Sequence, residues 1–338
     1  MISKIKYFKR LPFKIYNEIV KQISKNKIHN EYSDCLFFSS RSVLSLVNIL
    51  FPIKEYPKNN KKYDNNLFFI KSSKINNLIK IKNKKFNKNF ILISGDSDYS
   101  ISLKYYNKSL LIKILQKKKL LKWFTQNLDY KHKKLEYLPH GVDYHTIWEK
   151  RKNWVKKRLR PKIQEKKLLT ISKMSKKNDQ RINKIFHNWH FSLDHGKRHD
   201  YFKYLKNKKE NFFLNNKLNK FENFKKQIKF KYIFCPQGKG MDDPRVYESI
   251  ILGNIIIRME DNLKYFFRDL PVIHLRKIED LNLNNLNNLS KNFNHRKFNF
   301  AKLLNLYWFD KLNIKKNNYY KEFKNLRFDD FKNKLKIL

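Results

Sequence analysis

Residues 231–258, KYIFCPQGKGMDDPRVYESIILGNIIIR, decide the fold, because they contain a strand, a basic loop, a helix and a second strand in immediate succession. The run 231–235 is apolar and rich in β-forming residues. The loop that follows brackets Lys239 between Gly238 and Gly240. Both glycines permit a positive φ, which would let backbone N–H groups converge on an anion.

The helix in this stretch has clear start and stop signals. Asp243 is a natural N-cap, Pro244 suits the first helical position, and Gly253 ends the helix before the strand 254–258. We expect the positive end of the helix dipole to face the same space as Lys239. The pattern therefore predicts a βαβ unit that binds a phosphate or diphosphate.

Arg245 and Glu248 are three residues apart, so they share one face near the start of the predicted helix. A guanidinium suits a bidentate phosphate contact, and a carboxylate suits the vicinal hydroxyls of a ribose. The pair therefore indicates a nucleotide-sugar site. A surface ion pair on an ordinary βαβ unit is the alternative.

These residues resemble the signature of the exostosin-like glycosyltransferases, in their soluble microbial or viral form. The resemblance covers 230–258 and continues in DLPVIHL at 269–275. The matching positions are Pro236, Gly238, Gly240, Asp242, Arg245, Tyr247, Glu248 and Gly253. Where the family usually has a proline in the following strand, this chain has isoleucines at 255–257. The resemblance implies an α/β fold of the GT-B type, in which two Rossmann-like domains face each other across a cleft.

A second, less specific resemblance lies upstream. The segments SGDSDYSI at 94–101 and LKWFTQNLDYKHKKLEYLPHGVDYHT at 121–146 are similar to the N-terminal halves of bacterial and viral members. The chain has 338 residues, which suits two domains of about 150 residues each. We predict an acceptor-side domain over 1–160 and a donor-binding domain over 161–338 whose terminal helix returns to the first domain.

The sequence favours an intracellular enzyme. Its two cysteines, Cys35 and Cys235, cannot build a disulfide framework, and each is expected to be a buried, reduced thiol. No apolar run reaches the length of a membrane span, and the first residues are too polar for a secretory signal. We therefore predict a cytoplasmic protein, with peripheral contact at the inner membrane face as a further possibility. The segment 13–23 predicts a helix that is either core-facing or interfacial.

The formal net charge of +48 would by itself indicate a nucleic-acid or polyanion partner. The lysines are spread along the chain, however, and lysine, asparagine and isoleucine are all enriched together, as in A+T-rich coding. We expect acidic partners of another kind: a nucleotide sugar, a glycan or lipid-linked acceptor, and an anionic membrane surface.

Candidate acid–base groups follow two predicted strands of the N-terminal half. Apolar runs at 35–38, 67–70, 90–93 and 135–138 predict strands of a parallel sheet. Asp96 and Asp98 would then project from a strand end into the crevice. They could act as acid–base groups on the acceptor side, or they could cap the turn. A third alternative is that they bind a divalent metal through the D-x-D motif.

His140 lies in a Pro-His-Gly-Val-Asp loop after the last of these strands. Imidazole titrates near neutrality, so His140 could take the proton of an acceptor hydroxyl. A polar loop that satisfies its own backbone is the alternative.

The donor domain should begin with a strand at 167–174, after a basic helix that leads to Pro161 as the linker. Lys173 and Arg181 would lie at or beyond the end of that strand, where GT-B enzymes contact the diphosphate. Arg198 falls where the family commonly places an arginine before the donor strand. Four histidines between 187 and 199 have no zinc-like spacing, and an apolar stripe at 303–312 predicts a packed helix.

Together these features predict a glycosyltransferase of polysaccharide biosynthesis that moves a sugar from a nucleotide-diphosphate donor to a hydroxyl of a surface glycan. The enzyme would need no cofactor besides its nucleotide-sugar substrate, and a divalent metal is not favoured. The competing hypotheses are a non-catalytic nucleic-acid or polyanion-binding protein and a metal-dependent transferase. The predicted donor-binding residues are Lys173, Arg181, Arg198, Gly238, Lys239, Gly240, Arg245 and Glu248, and the predicted catalytic residues are Asp96, Asp98 and His140.

Overall fold

The computed structural model describes residues 31–46, 49–50, 67–80, 86, 88–149, 155–315 and 317–337. Within this part the protein is a mixed α/β structure with two five-stranded sheets. Every strand pair in both sheets is parallel. The predicted helix at 13–23 lies outside the described residues.

The first sheet is built from the N-terminal half of the chain. Its strands are β1 (Ile49–Leu50), β2 (Leu67–Lys71), β3 (Phe90–Gly95), β5 (Leu120–Thr125) and β7 (Leu135–Tyr137), in the order β1-β2-β3-β5-β7. Two short strands, β4 (Ile101–Ser102) and β6 (Leu128–Asp129), form a small parallel pair of their own. The polar ends of β3, β5 and β7 therefore lie along one edge.

Apolar clusters cover both faces of the first sheet, because alternate strand residues point to opposite sides. Phe68, Leu92 and Trp123 pack in one cluster with the residues that follow β2 and β3. Their neighbours Phe69, Ile93 and Phe124 pack in another. Burial on both faces explains why these strands are continuous apolar runs.

The second sheet contains β8 (Ile182–His187), β9 (Asn211–Phe213), β10 (Phe230–Phe234), β11 (Ile255–Met259) and β12 (Val272–Leu275). The strand order is β12-β11-β10-β8-β9, so the chain reverses its direction of winding between β8 and β10. In doubly wound sheets of this order, ligands bind beyond the carboxyl ends of the strands at such a switch point. The loops after β8 and β10 are the ones at that position.

The helices of the described part surround these sheets. Their bounds are α1 (Ser40–Leu46), α2 (Lys108–Leu115), α3 (His145–Trp148), α4 (Pro161–Lys173), α5 (Arg198–Leu205), α6 (Lys220–Gln227), α7 (Pro244–Ile251), α8 (Lys264–Phe267), α9 (Leu283–Ser290), α10 (Asn305–Lys311) and α11 (Phe328–Ile337). Helix α6 begins with a capping box formed by Asn219 and Glu222, and α7 begins with the Asp243 cap that the sequence predicts.

Two predicted elements are wrong. The run 167–174 is not a strand but the end of helix α4, which begins at Pro161 and buries Leu168 and Ile171 on one face. The run 35–38 forms only a single bridge, from Phe37 to Leu304, within the described residues. The basic linker helix is also absent over 155–160, and residues 150–154 lie outside the described part.

The C-terminal region contacts both sheets. Trp308 of α10 packs in the cluster with Phe38, Phe69 and Phe124 on the first sheet, as an apolar helical stripe predicts. Helix α11 packs instead against α4 beside the second sheet.

The cysteine prediction is confirmed, because Cys35 and Cys235 are both buried and free. Burial raises the pKa of each thiol, to about 12 for Cys235, so both remain protonated near neutrality. None of the helices described is both long enough and apolar enough to span a bilayer.

Candidate functional site

The loop after β10 is the centre of the candidate site. Arg198 is the first residue of α5, which follows β8. Its side chain reaches the loop after β10, where Nε donates to the carbonyl of Gln237 at 3.1 Å. A side chain added at Gly238 would place its Cβ 3.0 Å from Nη2 of Arg198, and one at Gly240 would lie 3.1 Å from the Asn127 amide nitrogen. Neither glycine has a positive φ, contrary to expectation. Their role is to leave room for Arg198 and Asn127.

Asp243 binds two arginines at the start of α7. Its carboxylate accepts hydrogen bonds from the Arg245 backbone N–H and from Arg245 Nε, each at 3.0 Å, and lies 3.4 Å from Arg198 Nη2. Burial alone would raise the pKa of Asp243, but the charge and hydrogen bonds of Arg245 lower it to about 2. The carboxylate is therefore ionised. The Asp243 carboxylate occupies the helix N-terminus where the sequence predicts a phosphate. It is shared by the guanidinium groups of Arg198 and Arg245.

Asp242 connects this loop to the first sheet. It accepts a hydrogen bond from the His140 backbone N–H at 2.5 Å and one from the Tyr247 hydroxyl at 2.9 Å. Its own N–H donates to the Asn127 side-chain oxygen at 2.9 Å. The Tyr247 hydroxyl also lies 3.0 Å from that of Tyr137. Loops after β5, β7 and β10 are thereby fixed to one another.

A polar cavity of about 460 Å³, here called the central cavity, opens above this junction. It brings together seven of the residues predicted from the sequence: Asp96, Asp98, His140, Arg198, Gly238, Lys239 and Gly240. Its volume lies in the range of small-molecule sites. Both sheets contribute loops from their carboxyl ends to its walls.

His140 lines the central cavity with a neutral imidazole. Burial lowers its pKa more than the nearby Asp242 carboxylate raises it, so the imidazole is neutral at pH 7. Its Nδ1 is buried and has no hydrogen-bond partner among the described residues. Its ring stacks on that of His145 with centroids 6.0 Å apart.

Asp96 and Asp98 have different surroundings. Asp96 has a left-handed φ of 51° and forms ion pairs with Arg41 at 2.6 Å and with Lys71 at 3.2 Å. Asp98 is exposed at the cavity wall. No group of three or more His, Cys, Asp or Glu side chains in the described part is arranged to hold a metal ion.

A second cavity of about 470 Å³, here called the side cavity, adjoins the central cavity through Asp243 and Pro244. Arg245 and Glu248 both line it. Other lining residues combine apolar and basic character: Phe191, Leu214, Leu218, Phe224, Lys217 and Lys220.

Glu248 is already paired in the side cavity. Its carboxylate lies 2.7 Å from Lys220 Nζ and accepts the Asp143 backbone N–H at 3.3 Å. Burial raises the pKa of Glu248, and the Lys220 charge opposes that rise. Asp143 in turn lies 3.0 Å from His145 Nδ1. Although burial opposes it, the His145 contact holds the pKa of Asp143 well below its usual range.

Lys173 and Arg181 do not join the site. Lys173 is exposed at the end of α4, and Arg181 is buried elsewhere, where it donates to the carbonyls of Lys176 at 3.0 Å and Leu252 at 3.2 Å. Their predicted contact with the diphosphate depends on a strand at 167–174, which the structure replaces with the end of α4. A helix there moves the following loop away from the carboxyl edge.

Sequence reasoning missed Lys220, Asn127 and Asp143, which complete the two cavities. Asn127 has a φ of 50° directly after β5, a strand that was not predicted. An asparagine after an apolar run, as in Leu120–Thr125, was the available signal. Lys220 could have been found through the capping box that places it at the start of α6.

The site thus belongs to a parallel α/β protein with adjoining polar cavities at a topological switch point. The sequence matches no protein-family model, and no curated protein matches it significantly. The exostosin-like resemblance therefore rests on the residues quoted above.

Proposed function

We propose that this protein is a GT-B glycosyltransferase that moves a sugar from a nucleotide-diphosphate donor to a hydroxyl of a surface glycan. One observation carries the proposal. Arg198 and Arg245, at the starts of α5 and α7, share the Asp243 carboxylate at the switch point, and Arg198 and Lys239 line the cavity that holds the neutral imidazole of His140. Cations for a leaving diphosphate and a base for an attacking hydroxyl are the two requirements of this reaction.

The GT-B assignment is supported by the two parallel sheets, whose carboxyl-end loops share the central cavity. In this proposal the acceptor side is 1–160 and the donor side 161–338. The acceptor enters from the Asp96, Asp98 and His140 side.

The donor nucleotide is assigned to the side cavity. Phe191, Leu214 and Phe224 offer apolar surface for a base ring. In this proposal Glu248 binds the ribose hydroxyls. Its partner Lys220 then leaves Glu248 and pairs with the phosphates. The pairing of Glu248 with Lys220 keeps the buried carboxylate compensated until the donor arrives.

The diphosphate is assigned to Arg198, Lys239 and Arg245. As the bond from the anomeric carbon to the diphosphate oxygen breaks, negative charge grows on the leaving group, and these cations stabilise it. Asp243 holds both guanidinium groups in place before the reaction begins. Pre-positioned charges of this kind lower the barrier without reorganisation.

His140 is the proposed base for an inverting reaction. It accepts the proton of the acceptor hydroxyl while that oxygen bonds to the anomeric carbon. Asp96 is less suited to the role because Arg41 and Lys71 already share its charge. The same two cations disfavour a divalent metal on Asp96 and Asp98, so no cofactor is assigned.

A nucleic-acid or polyanion-binding function is the competing proposal, and the net charge of +48 favours it. The two concave cavities with internally paired charges argue against it, because binding of a polyanion to a basic surface requires no such site. We assign the protein to the cytoplasm, where nucleotide sugars are available, with its basic surface against the inner membrane face.

The test is a thermal-shift screen of the purified chain against nucleotide diphosphates and UDP-, GDP- and CMP-sugars, with manganese or with a chelator. The correct donor should raise the melting temperature. Glu248→Gln and Arg245→Lys should each remove most of that shift. Glu322→Gln serves as the matched control, because Glu322 is a surface carboxylate paired with Lys334.

Two results would overturn the donor site. One is an unchanged shift in both variants. The other is no shift with any donor together with tight, salt-sensitive binding of DNA or heparin. A shift that needs manganese would revive the metal site at Asp96 and Asp98.

A further inference from the structure

An open groove runs beside the second sheet, on the outer side of α6 and outside both cavities described above. It has a volume of about 720 Å³. Its walls come from the end of α4, the start of β8 and the length of α6. We call it the lysine-rimmed groove.

The groove exposes large apolar side chains. Met174 is 61% exposed, Ile182 is 46% exposed and Leu218 is 36% exposed, and the more buried Ile228 also lines the groove. Exposed apolar residues that line one concave surface mark a binding site more often than isolated ones do.

The rim of the same groove is basic. Four exposed lysines line it: Lys176, Lys225, Lys226 and Lys229. Glu222 is the one carboxylate among the described residues of the lining, and it is engaged in the capping box of α6. Arg181 adds a buried cation whose Nη1 has no hydrogen-bond partner in the described part. Apolar walls under a cationic rim suit a ligand with an apolar chain and an anionic head.

Other classes of ligand fit less well. Among the described residues no aromatic side chain lines the groove, so this part offers no stacking platform for nucleic-acid bases. A partner helix would need a longer row of apolar anchors than these few side chains supply. A groove of this volume matches a small ligand.

We propose that the lysine-rimmed groove binds the acyl chain of an anionic amphiphile, with the lysines neutralising its headgroup. The lysine stems extend the apolar wall while their ammonium groups reach the head. Leu218 lines both this groove and the side cavity, so the two sites are neighbours. The inference does not depend on sugar transfer.

The test is a calorimetric titration of the full chain with monomeric laurate, and with 1-dodecanol as the uncharged analogue. The groove variant Met174→Asp/Ile182→Asp should lower laurate affinity at least tenfold. The matched control is Leu103→Asp/Leu289→Asp, because these leucines are 54% and 48% exposed elsewhere and the charge change is the same. Circular dichroism checks that both variants are folded.

Lys225→Gln/Lys226→Gln should weaken laurate and leave dodecanol unchanged. Phosphatidylglycerol vesicles at raised salt then distinguish the sources. If the wild-type chain binds these vesicles and the groove variant does not, the ligand is a membrane lipid. If the wild-type chain binds laurate but both chains bind the vesicles equally, the ligand is a free fatty acid. The proposal fails if the wild-type chain does not bind laurate, or if groove and control variants lose affinity equally.

Discussion

Asp243 holds Arg198 and Arg245 together at the switch point of the second sheet. Two like charges would otherwise separate, because each guanidinium raises the cost of burying the other. The shared carboxylate makes the doubly cationic arrangement stable in the absence of a ligand. A ligand phosphate would then meet two cations whose positions are already set.

Asp243→Asn should lower the free energy of unfolding by about 3 kcal/mol, because it leaves two largely buried guanidinium groups without a compensating charge. Asparagine remains a good N-cap, so loss of the helix cap does not explain the effect. Urea denaturation measures the change, with Asp330→Asn as a surface control. A difference below about 0.5 kcal/mol would contradict the compensating role.

The acid stability of the protein should also depend on Asp243. Its pKa falls from 3.8 to about 2 on folding, so the unfolded chain binds the proton first as the pH drops. Ionised Asp243 contributes about 2 kcal/mol to the free energy of unfolding. This contribution is complete above pH 4 and is lost between pH 4 and 2. Asp243→Asn should flatten the unfolding free energy over that window, and an unchanged slope would refute the assignment.

His187 should make the protein sensitive to mild acid. The buried ring pairs with Asn211 at 2.8 Å, and burial lowers its pKa from 6.5 to about 3. Below pH 6.5 the unfolded chain gains a proton that the folded chain excludes, so stability should fall by about 1.4 kcal/mol for each pH unit.

His187→Gln should reduce that slope, and the surface variant His295→Gln should leave it unchanged. Some slope will remain, because the pKa of His274 is also lowered, to about 4. Equal slopes in wild type and His187→Gln would show that the folded protein accepts the proton at His187.

Two glycines should respond differently to alanine. Gly253 has a φ of 82°, and a Cβ there would lie 2.6 Å from Arg181 Nη2, so Gly253→Ala should destabilise by about 2 kcal/mol or more. Gly238 has no positive φ, and its Cβ would lie 3.0 Å from Nη2 of Arg198, a contact that a shift of the guanidinium by a few tenths of an ångström relieves. Gly238→Ala should therefore cost little stability while weakening donor binding. Thermal melts with and without donor separate the loss of stability from the loss of donor binding. A larger loss of stability in Gly238→Ala than in Gly253→Ala would contradict both predictions.

His140→Gln should lower the turnover number roughly 100-fold and leave donor affinity within a factor of two. The reason is that His140 lines the central cavity, whereas the donor nucleotide is assigned to the side cavity. Asp98→Asn, on the same wall, should retain most activity. Steady-state kinetics with the donor from the thermal screen measures both, and full activity of His140→Gln would exclude it as the base.

The βαβ unit at the centre of the site was predictable because its signals are local. Asp243, Pro244 and Gly253 each have a conformational reason to occur where they do, and the structure places α7 between β10 and β11 accordingly. The arrival of Asp96, His140 and Lys239 at one cavity also followed from the rule that strand ends share an edge.

The errors arose where local signals were ambiguous. The run 167–174 has a strand-like apolar composition, but its buried residues Leu168, Ile171 and Ser172 are spaced for a helix. β5 was missed because Lys122 interrupts its apolar run. The pairings of Glu248 with Lys220 and of Asp242 with Asn127 join distant parts of the chain, and no local pattern encodes them.

The hydrogen bonds of Asp242 restrict how the two halves can move. They tie loops of both sheets together beneath the central cavity, through His140, Tyr247 and Asn127. The bonds to His140 and Asn127 join the two halves of the chain, so pulling the sheets straight apart would break both, whereas the Tyr247 bond lies within the second half. An opening of the central cavity that keeps both bonds would have to turn about Asp242, and it would leave His140 in place.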